Sequence, residues 1–182
     1  TSDPNSADTH TYAVTTSSSP FKAQGTSLVV RDDLGDEVLD YETKSSYSVT
    51  VRTTDKGGLQ FSKTFTILVD NVNEKPTGVT MTTTSMLESA AVGTNLGGLS
   101  ASDPEGGPFT FSITSGSFRW DSSSKVVRTQ RVLDFETNPA PTMTVRVTDP
   151  GGLSSEFTLT MDVQDVNEAP TAITLSGSSV AE

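Results

Sequence analysis

The fold is decided by a nine-residue segment that occurs twice in the chain. One copy is Val51-Arg52-Thr53-Thr54-Asp55-Lys56-Gly57-Gly58-Leu59, and the other, 94 residues later, is Val145-Arg146-Val147-Thr148-Asp149-Pro150-Gly151-Gly152-Leu153. Hydrophobic and polar side chains alternate before the aspartate, which is the pattern of a half-buried β-strand. The glycine pair supplies the backbone angles of a tight turn. The segment therefore predicts a strand that ends in a hairpin turn.

The flanking sequence repeats at the same offset. Leu39-Asp40-Tyr41-Glu42 returns as Leu133-Asp134-Phe135-Glu136, and Val72-Asn73-Glu74-Lys75-Pro76 returns as Val166-Asn167-Glu168-Ala169-Pro170. Residues 77–88 map onto residues 171–182 without a gap. This common offset predicts tandem folded modules. We expect an incomplete module without its first strands at 1–75, a complete module at 76–169, and the first strand of a third repeat at 170–182.

Composition favours strands over helices throughout the chain. Only 32% of the residues are hydrophobic, whereas serine and threonine supply 54 of the 182 positions. Alternation recurs in residues 47–52 and 157–163, and no stretch has sustained helical spacing. About seven short strands per module are typical of a Greek-key sandwich. The predicted fold is all-β, with tandem immunoglobulin-like β-sandwiches.

Charge and cysteine content exclude several classes of function. The net charge of −11 and the lack of a basic cluster argue against a nucleic-acid partner. Without cysteine, neither a disulfide framework nor a thiolate metal site can form. No apolar run reaches the roughly 18 to 20 residues of a membrane span, and no signal peptide is visible. We expect an internal part of a longer protein.

Catalysis is not expected from this sequence. His10 is the only histidine and has no sequence context that suggests a general base. Asp134 and Glu136 could in principle serve glycoside hydrolysis. Such chemistry needs a cleft and a carboxyl group with a raised pKa, and an exposed linker offers neither. We predict that the chain is not an enzyme.

Acidic residues fall at the predicted strand ends and turns. For any one of them, a solvated surface is the ordinary interpretation. Several carboxylates that converge at one end of a sandwich would repel one another unless a cation neutralised them. Calcium accepts carboxylate, amide and carbonyl oxygens, six to eight at a time. The ordered set of acids therefore predicts Ca²⁺ as the cofactor.

These motifs occur in the order found in cadherin repeats, and the chain resembles that family over nearly its whole length, in the divergent form of bacterial cadherin-like adhesion modules. The resemblance implies calcium at each junction between modules, where it stiffens the string. At the first junction it implies the ligands Asp40, Glu42, Asn71, Asn73 and Glu74 from one side and Asp103, Glu105 and Asp149 from the other. At the second it implies Glu88, Asp134, Glu136, Asp165, Asn167 and Glu168.

Some positions depart from the family pattern or match it weakly. The linker is one residue shorter than the usual cadherin linker, Asn71 stands where the second copy has Asp165, and Glu105 replaces a common aspartate. The number of ions per junction therefore stays open. Glu182 belongs to a site beyond the second junction, and Asp3, Asn5 and Asp55 are weaker candidates.

Two functional hypotheses follow from the resemblance. The first is a calcium-dependent structural and adhesion module of an extracellular, cell-surface protein with many repeats. Its partners would be neighbouring repeats and either like chains or another surface. The alternative is a carbohydrate-binding module of a secreted polysaccharide-degrading protein, for which Trp120 beside Phe118 is the best support. Packing on a sandwich strand is the other interpretation of this tryptophan.

The phase of the repeat predicts an association between chains. The first copy is expected to expose sheet edges where its opening strands are missing, and such edges recruit strands. Residues 171–182 are the kind of strand that it lacks, so we expect head-to-tail strand exchange. The missing part includes two strands, so a donated segment would replace only some of it.

Overall fold

The computed structural model of the chain describes residues 2, 4, 9–34, 39–174 and 176. These residues form strands, turns and loops, with a single short 3-10 helix among them at Asp32–Leu34. The predicted all-β class is confirmed. The chain divides into two compact units, Thr1–Asn73 (unit 1) and Glu74–Glu182 (unit 2).

The described part of unit 1 contains five strands. They are β1 (Thr11–Val14), β2 (Phe21–Gln24), β3 (Ser27–Val30), β4 (Ser46–Thr54) and β5 (Gln60–Leu68). An antiparallel sheet has the order β1-β4-β5, and β2 and β3 form a separate hairpin. Phe21 is buried and meets the Tyr47 ring edge-on, with the ring centroids 5.5 Å apart.

The described part of unit 2 contains nine strands. They are β6 (Gly78–Met81), β7 (Ser85–Leu87), β8 (Leu99–Ser102), β9 (Thr110–Gly116), β10 (Phe118–Asp121), β11 (Val126–Thr129), β12 (Thr142–Thr148), β13 (Ser154–Thr160) and β14 (Asp162–Gln164). If β6 and β7, and likewise β13 and β14, are counted as interrupted single strands, unit 2 has the seven strands predicted for one module.

The strands of unit 2 form two layers. One layer has the order β13-β12-β9, and the parallel pair of β7 with β14 extends it where β14 follows β13. The other layer contains the pairs β6-β8 and β10-β11. Hydrogen bonds from Leu96 N to Val127 O and from Val127 N to Gly97 O, 2.9 and 2.8 Å long, join the segment before β8 to β11. This is the predicted sandwich.

The core of unit 2 lies between the two layers. Phe118 and Val127 come from one layer, and Met143, Val145 and Val147 from the other, all with 0% of their surface exposed. Hydrophobic and polar residues alternate along β12, and successive side chains of a strand point to opposite faces. Met143, Val145 and Val147 therefore all face the core. The core fixes the ends of the strands, and therefore the loops that carry the acidic residues.

Candidate metal centre

Four carboxylates meet at one end of unit 2. Glu88 follows β7, Glu136 lies in the loop before β12, and Asp165 and Glu168 follow β14. One oxygen from each residue lies within 4.8 Å of an oxygen from each of the others. Three loops that are distant in sequence therefore place negative charge at one point.

Glu88 is the buried member of this group and organises it. Only 5% of its surface is exposed. Its Oε2 accepts a hydrogen bond from the Phe135 amide at 2.7 Å, and its Oε1 accepts one from the Val166 amide at 2.6 Å. Phe135 precedes Glu136, and Val166 follows Asp165. The carboxylate of Glu88 therefore holds together the two backbone segments that present the other acids.

Asp134 and Asn167 are the remaining candidates at this end, and the carboxylate of Asp134 does not belong to the four-oxygen group. The carboxylate of Asp134 accepts hydrogen bonds from the amide and hydroxyl of Thr137 at 3.0 and 2.9 Å. These bonds lower the pKa of Asp134 and cap the turn that contains Glu136. Asn167 is exposed between Val166 and Glu168.

Two carboxylates of this group have pKa values that are shifted in opposite directions. The hydrogen bonds from the Phe135 and Val166 amides lower the pKa of Glu88. Desolvation, followed by the charges of Glu88 and Glu136, raises the pKa of Glu168. Like charges in a small space favour a proton on one of them unless a cation replaces it.

The group fits a hard cation. Calcium binds oxygens at about 2.3–2.6 Å, so ligands on opposite sides of one ion lie up to about 5 Å apart. The four oxygens, within 4.8 Å of one another, can therefore all contact a single ion. Cysteine is absent from the chain and its single histidine, His10, lies in unit 1, so the donor set is oxygen only.

A second set of candidates lies at the other end of β12 in unit 2. Asp103 Oδ1 accepts from the Glu105 amide at 3.0 Å, whereas its Oδ2 is enclosed and has no hydrogen-bond partner among the described residues. Glu105 Oε2 accepts from the Glu74 amide at 3.3 Å, and hydrogen bonding by Glu74 lowers the pKa of Glu105. An enclosed carboxylate oxygen without a hydrogen-bond donor is of the kind that fits coordination by a cation.

Asp149 is buried and closes the hairpin turn after β12. Its Oδ1 accepts from the Leu153 amide at 2.9 Å. Asp55 makes the same contact with Leu59 in unit 1, at 2.8 Å. The repeated Asp-x-Gly-Gly-Leu motif therefore has a local structural role in both units, in addition to any role in metal binding.

The candidate ligands of unit 1 are exposed. Asp40 caps its turn as Asp134 does, since its carboxylate accepts from the amide and hydroxyl of Thr43 at 2.9 and 2.7 Å. Glu42, Asn71 and Asn73 also lie at the surface. The other positions named from the sequence, Asp3, Asn5 and Glu182, lie outside the described residues.

Sequence reasoning named all four members of the group but missed the role of Glu88. It included Glu88 as one ligand among six, with nothing to mark it as the buried residue that binds two backbone amides. A sequence signal did exist, because Glu88 lies at the end of an apolar segment, directly after Met86 and Leu87. A carboxylate in that position is favourable only if hydrogen bonds satisfy it.

Comparison with known proteins gives relatives but no matching family model. Mouse protocadherin-16 is 34% identical over 160 residues, which is 80% of this chain and 5% of that protein. Human cadherin-22 is 29% identical over 190 residues, which is 87% of this chain and 22% of that protein. The chain therefore spans only a small part of the curated relatives that it matches.

Solved structures with a similar fold are extracellular cadherin domains. The protocadherin γB7 EC3-6 cis-dimer structure matches with a TM-score of 0.53 and 25% identity, over 86% of this chain and 41% of that chain. Human protocadherin-24 EC1-2 matches with a TM-score of 0.60, over 88% of this chain and 85% of that chain, and its 18% identity supports the fold alone. Among the described residues, none of the helical structure could cross a membrane.

Proposed function

Because this chain consists of cadherin-like repeat domains, which are extracellular, we propose that it is a calcium-dependent structural and adhesion module of a protein with many such repeats. Calcium would bind at the acidic ends of the repeats and stiffen the linkers between them. The observation that carries this proposal is the set of four carboxylate oxygens within 4.8 Å of one another, built around buried Glu88.

The position of these residues explains how an ion would stiffen a linker. Glu88 and Glu136 belong to the body of unit 2, whereas Asp165 and Glu168 belong to the segment that leaves it after β14. An ion that contacts all four would attach the leaving segment to the body. Without an ion, repulsion among the carboxylates opposes this attachment.

Calorimetry with calcium tests the proposal. We expect binding in the range of extracellular modules, with Kd on the order of 10⁻⁴ to 10⁻³ M. Glu88→Gln should weaken it at least about tenfold, since second-shell and ligand losses commonly cost 10- to 100-fold in affinity. Glu156→Gln is the matched control, because Glu156 is exposed on β13 and pairs with Arg146 across the strands. Equal affinities for wild type and Glu88→Gln would contradict the proposed site.

Hydrogen exchange tests the stiffening itself. Calcium should slow exchange at the amides of residues 165–170 in the wild type and much less in Glu88→Gln. Unchanged exchange at saturating calcium would contradict linker stiffening while leaving calcium binding intact.

The adhesive part of the proposal is based on a similar structure. One similar structure is described as a cis-dimer of protocadherin γB7, and we extend to this chain a contact with like repeats, either within one protein or between chains. No catalytic role is part of the proposal, since the relatives are cadherins. The relatives reported above are mammalian, and a bacterial surface origin stays a prediction.

Carbohydrate binding is a second candidate, supported by a cleft in unit 2. The cleft has a volume of about 360 Å³ and is lined by aromatic and hydrophobic side chains, among them Phe109, Phe111 and Trp120. Phe118 is fully buried and is not available to a ligand. Trp120 is half-buried and packs on Phe111 at 5.4 Å. Retention of the chain on polysaccharide that Trp120→Ala abolishes would support this candidate, and equal retention would exclude it.

A further inference from the structure

The cleft of unit 2 that contains Trp120 continues the aromatic part of the core. Phe118 and Trp120 are two residues apart on β10, so their side chains point to the same face of the sheet. Phe118 is fully buried, whereas Trp120 is half-buried and lines the cleft. The ring centroid of Phe111 lies 5.4 Å from that of Trp120 and 6.4 Å from that of Phe109. A row of aromatic rings therefore extends from the core to the solvent.

Polar groups line the same cleft. Thr110, Ser122 and Lys125 are among its lining residues, and all three are exposed. In the part of the chain that the structure describes, no carboxylate forms an ion pair with the ammonium group of Lys125. Small-molecule sites are mostly apolar clefts of roughly 300–1,000 Å³ with a few polar groups. The cleft, with a volume of about 360 Å³, has the size and the lining of such a site.

The backbone at Lys125 has an unusual conformation. Among the described residues, Lys125 and Ser18 are the non-glycine residues with positive φ, at 57° and 53°. Glycine is the residue best suited to this conformation, because a side chain is strained there. Asp121 Oδ1 accepts hydrogen bonds from the amides of Ser123 and Ser124 at 3.1 and 3.3 Å, which fixes the turn before Lys125. A strained residue that brings a charge to a cleft supports a role in binding.

Charge is unevenly distributed along the sequence of unit 2. Residues 119–131 contain four of the six lysines and arginines of this unit and one of its thirteen acidic residues. That acidic residue, Asp121, forms an ion pair with Arg128 at 3.0 Å. The hairpin of β10 and β11 is therefore positively charged in a chain whose net charge is −11. Its field favours an anionic ligand at the cleft.

We propose that this cleft binds an acidic sugar residue of a polysaccharide, with the carboxylate or sulfate group of the sugar at Lys125. The inference rests on the carbohydrate-binding candidate and specifies its ligand class. A sugar ring has a face of C–H groups, which packs on aromatic rings, and hydroxyl groups at its edge. In the cleft this face lies on Trp120, the hydroxyl groups reach Thr110 and Ser122, and the anionic group pairs with the Lys125 ammonium.

Calorimetry with oligogalacturonate and with its methyl ester tests the proposal. The two ligands share one sugar ring, and esterification removes the charge. Measurement at low salt in chelator prevents calcium from bridging the carboxylates of ligand and protein. The wild type should bind the acid about three- to fivefold more tightly than the ester, as an exposed ion pair allows. Lys125→Gln should remove this difference, and Trp120→Ala should abolish binding of both ligands.

Arg131→Gln is the matched control for charge. It removes one positive charge from the same sequence region, at an exposed residue that is not among those lining the cleft. The preference for the acid should survive this change. Equal loss of the preference in Arg131→Gln and Lys125→Gln would assign it to net charge and overturn the proposal.

Dextran sulfate and dextran provide the same comparison for a sulfate group. A preference that depends on Lys125 in either pair of ligands supports the proposal, and its absence from both overturns it. High salt should weaken the preference, because salt screens exposed charges.

Lys125→Gly separates binding from folding. Glycine relieves the positive φ, so the thermal transition followed by the fluorescence of Trp120 should not move to lower temperature. The preference for the acidic ligand should still be lost, as in Lys125→Gln. A lower transition temperature with an unchanged preference would show that Lys125 acts only in the turn.

The possible failures can be told apart. Equal binding of acid and ester that Trp120→Ala abolishes would overturn the acidic ligand and support carbohydrate binding. Binding of none of the four ligands would contradict both, and the calcium proposal would be unaffected because chelator is present. Association of chains without sugar that Trp120→Ala prevents would show that a second copy occupies the cleft, which also overturns the proposal.

Discussion

The hairpin of β4 and β5 in unit 1 and the hairpin of β12 and β13 in unit 2 come from one repeated sequence, yet they differ in what covers them. Val145 is fully buried in unit 2, whereas its counterpart Val51 is only half-buried in unit 1. Met161 is fully buried and its counterpart Ile67 is half-buried. The strands β6, β7 and β8 complete the core of unit 2, and the described part of unit 1 has no equivalent of them. An alternating pattern therefore specifies which face points inward, while burial depends on what packs against that face.

The two units can be followed separately in one chain. Trp120 is the only tryptophan and lies in unit 2, whereas the three tyrosines, Tyr12, Tyr41 and Tyr47, all lie in unit 1. Tryptophan fluorescence therefore reports unfolding of unit 2, and the near-ultraviolet circular dichroism of tyrosine reports unit 1.

Truncation of paired core residues should give the largest difference between the units. Met161→Ala should lower the free energy of unfolding of unit 2 by about 2 to 5 kcal/mol, because it removes a fully buried side chain and leaves a cavity. Ile67→Ala should cost unit 1 about half as much, because part of its surface is already in water. Urea unfolding followed by the two signals measures both values. Equal losses would show that unit 1 is covered in solution to the same extent as unit 2.

Calcium should stabilise unit 2 more than unit 1. A ligand at 100 times its Kd contributes about 2.7 kcal/mol to the folded state. Unit 2 holds Glu88 between two amides within its own fold, and no described residue of unit 1 takes that place. We expect the tryptophan transition to move to higher temperature on addition of calcium, and the tyrosine transition to move less when chains are dilute. The reverse order would contradict the importance given to Glu88, and added chelator provides the control.

Acid should act on unit 2 through Asp121 in the hairpin of β10 and β11. Hydrogen bonds from Ser123, Ser124 and Arg128 hold the pKa of Asp121 well below its usual range. Its contribution to stability is therefore full above the unfolded pKa of about 3.9 and is lost as the pH falls below that value. Asp121→Asn should lower the temperature of the tryptophan transition at neutral pH. It should also make that temperature less dependent on pH in acid.

The matched position in unit 1 provides the control for this prediction. Gln24 stands at the end of β2, where Asp121 ends β10. Gln24 carries no carboxylate, and Asp121 lies in unit 2. Asp121→Asn should therefore leave the temperature of the tyrosine transition unchanged at every pH. An unaltered pH dependence of the tryptophan transition would show that other carboxylates dominate the acid response of unit 2.

The fold and the residues of the four-carboxylate group could be predicted because their signals are local. Alternation and the turn motif lie within nine residues, and Asp55 and Asp149 make the same contact with the leucine four residues later. The arrangement within this group could not be predicted, because Glu88 accepts hydrogen bonds from amides 47 and 78 residues away. Such contacts depend on where loops from different strands end in space. The burial of Phe118 and the exposure of Phe61 likewise depend on which strands pack against these side chains, and not on the local sequence.

The smallest expected effect concerns the connections that precede β2 and β10. In unit 2, Gly116 at the end of β9 has φ of 103°, whereas in unit 1 Ser18, between β1 and β2, has φ of 53°. A left-handed backbone costs an L-residue about 1 to 2 kcal/mol, and glycine avoids this cost but loses about 0.5 to 1 kcal/mol through its greater freedom when unfolded. Ser18→Gly should therefore stabilise unit 1 by about 0.5 kcal/mol, the difference between these two effects. Ser17→Gly, at a neighbouring exposed position without positive φ, should destabilise it slightly. If both variants lowered the tyrosine transition equally, backbone strain at Ser18 would not distinguish the two connections.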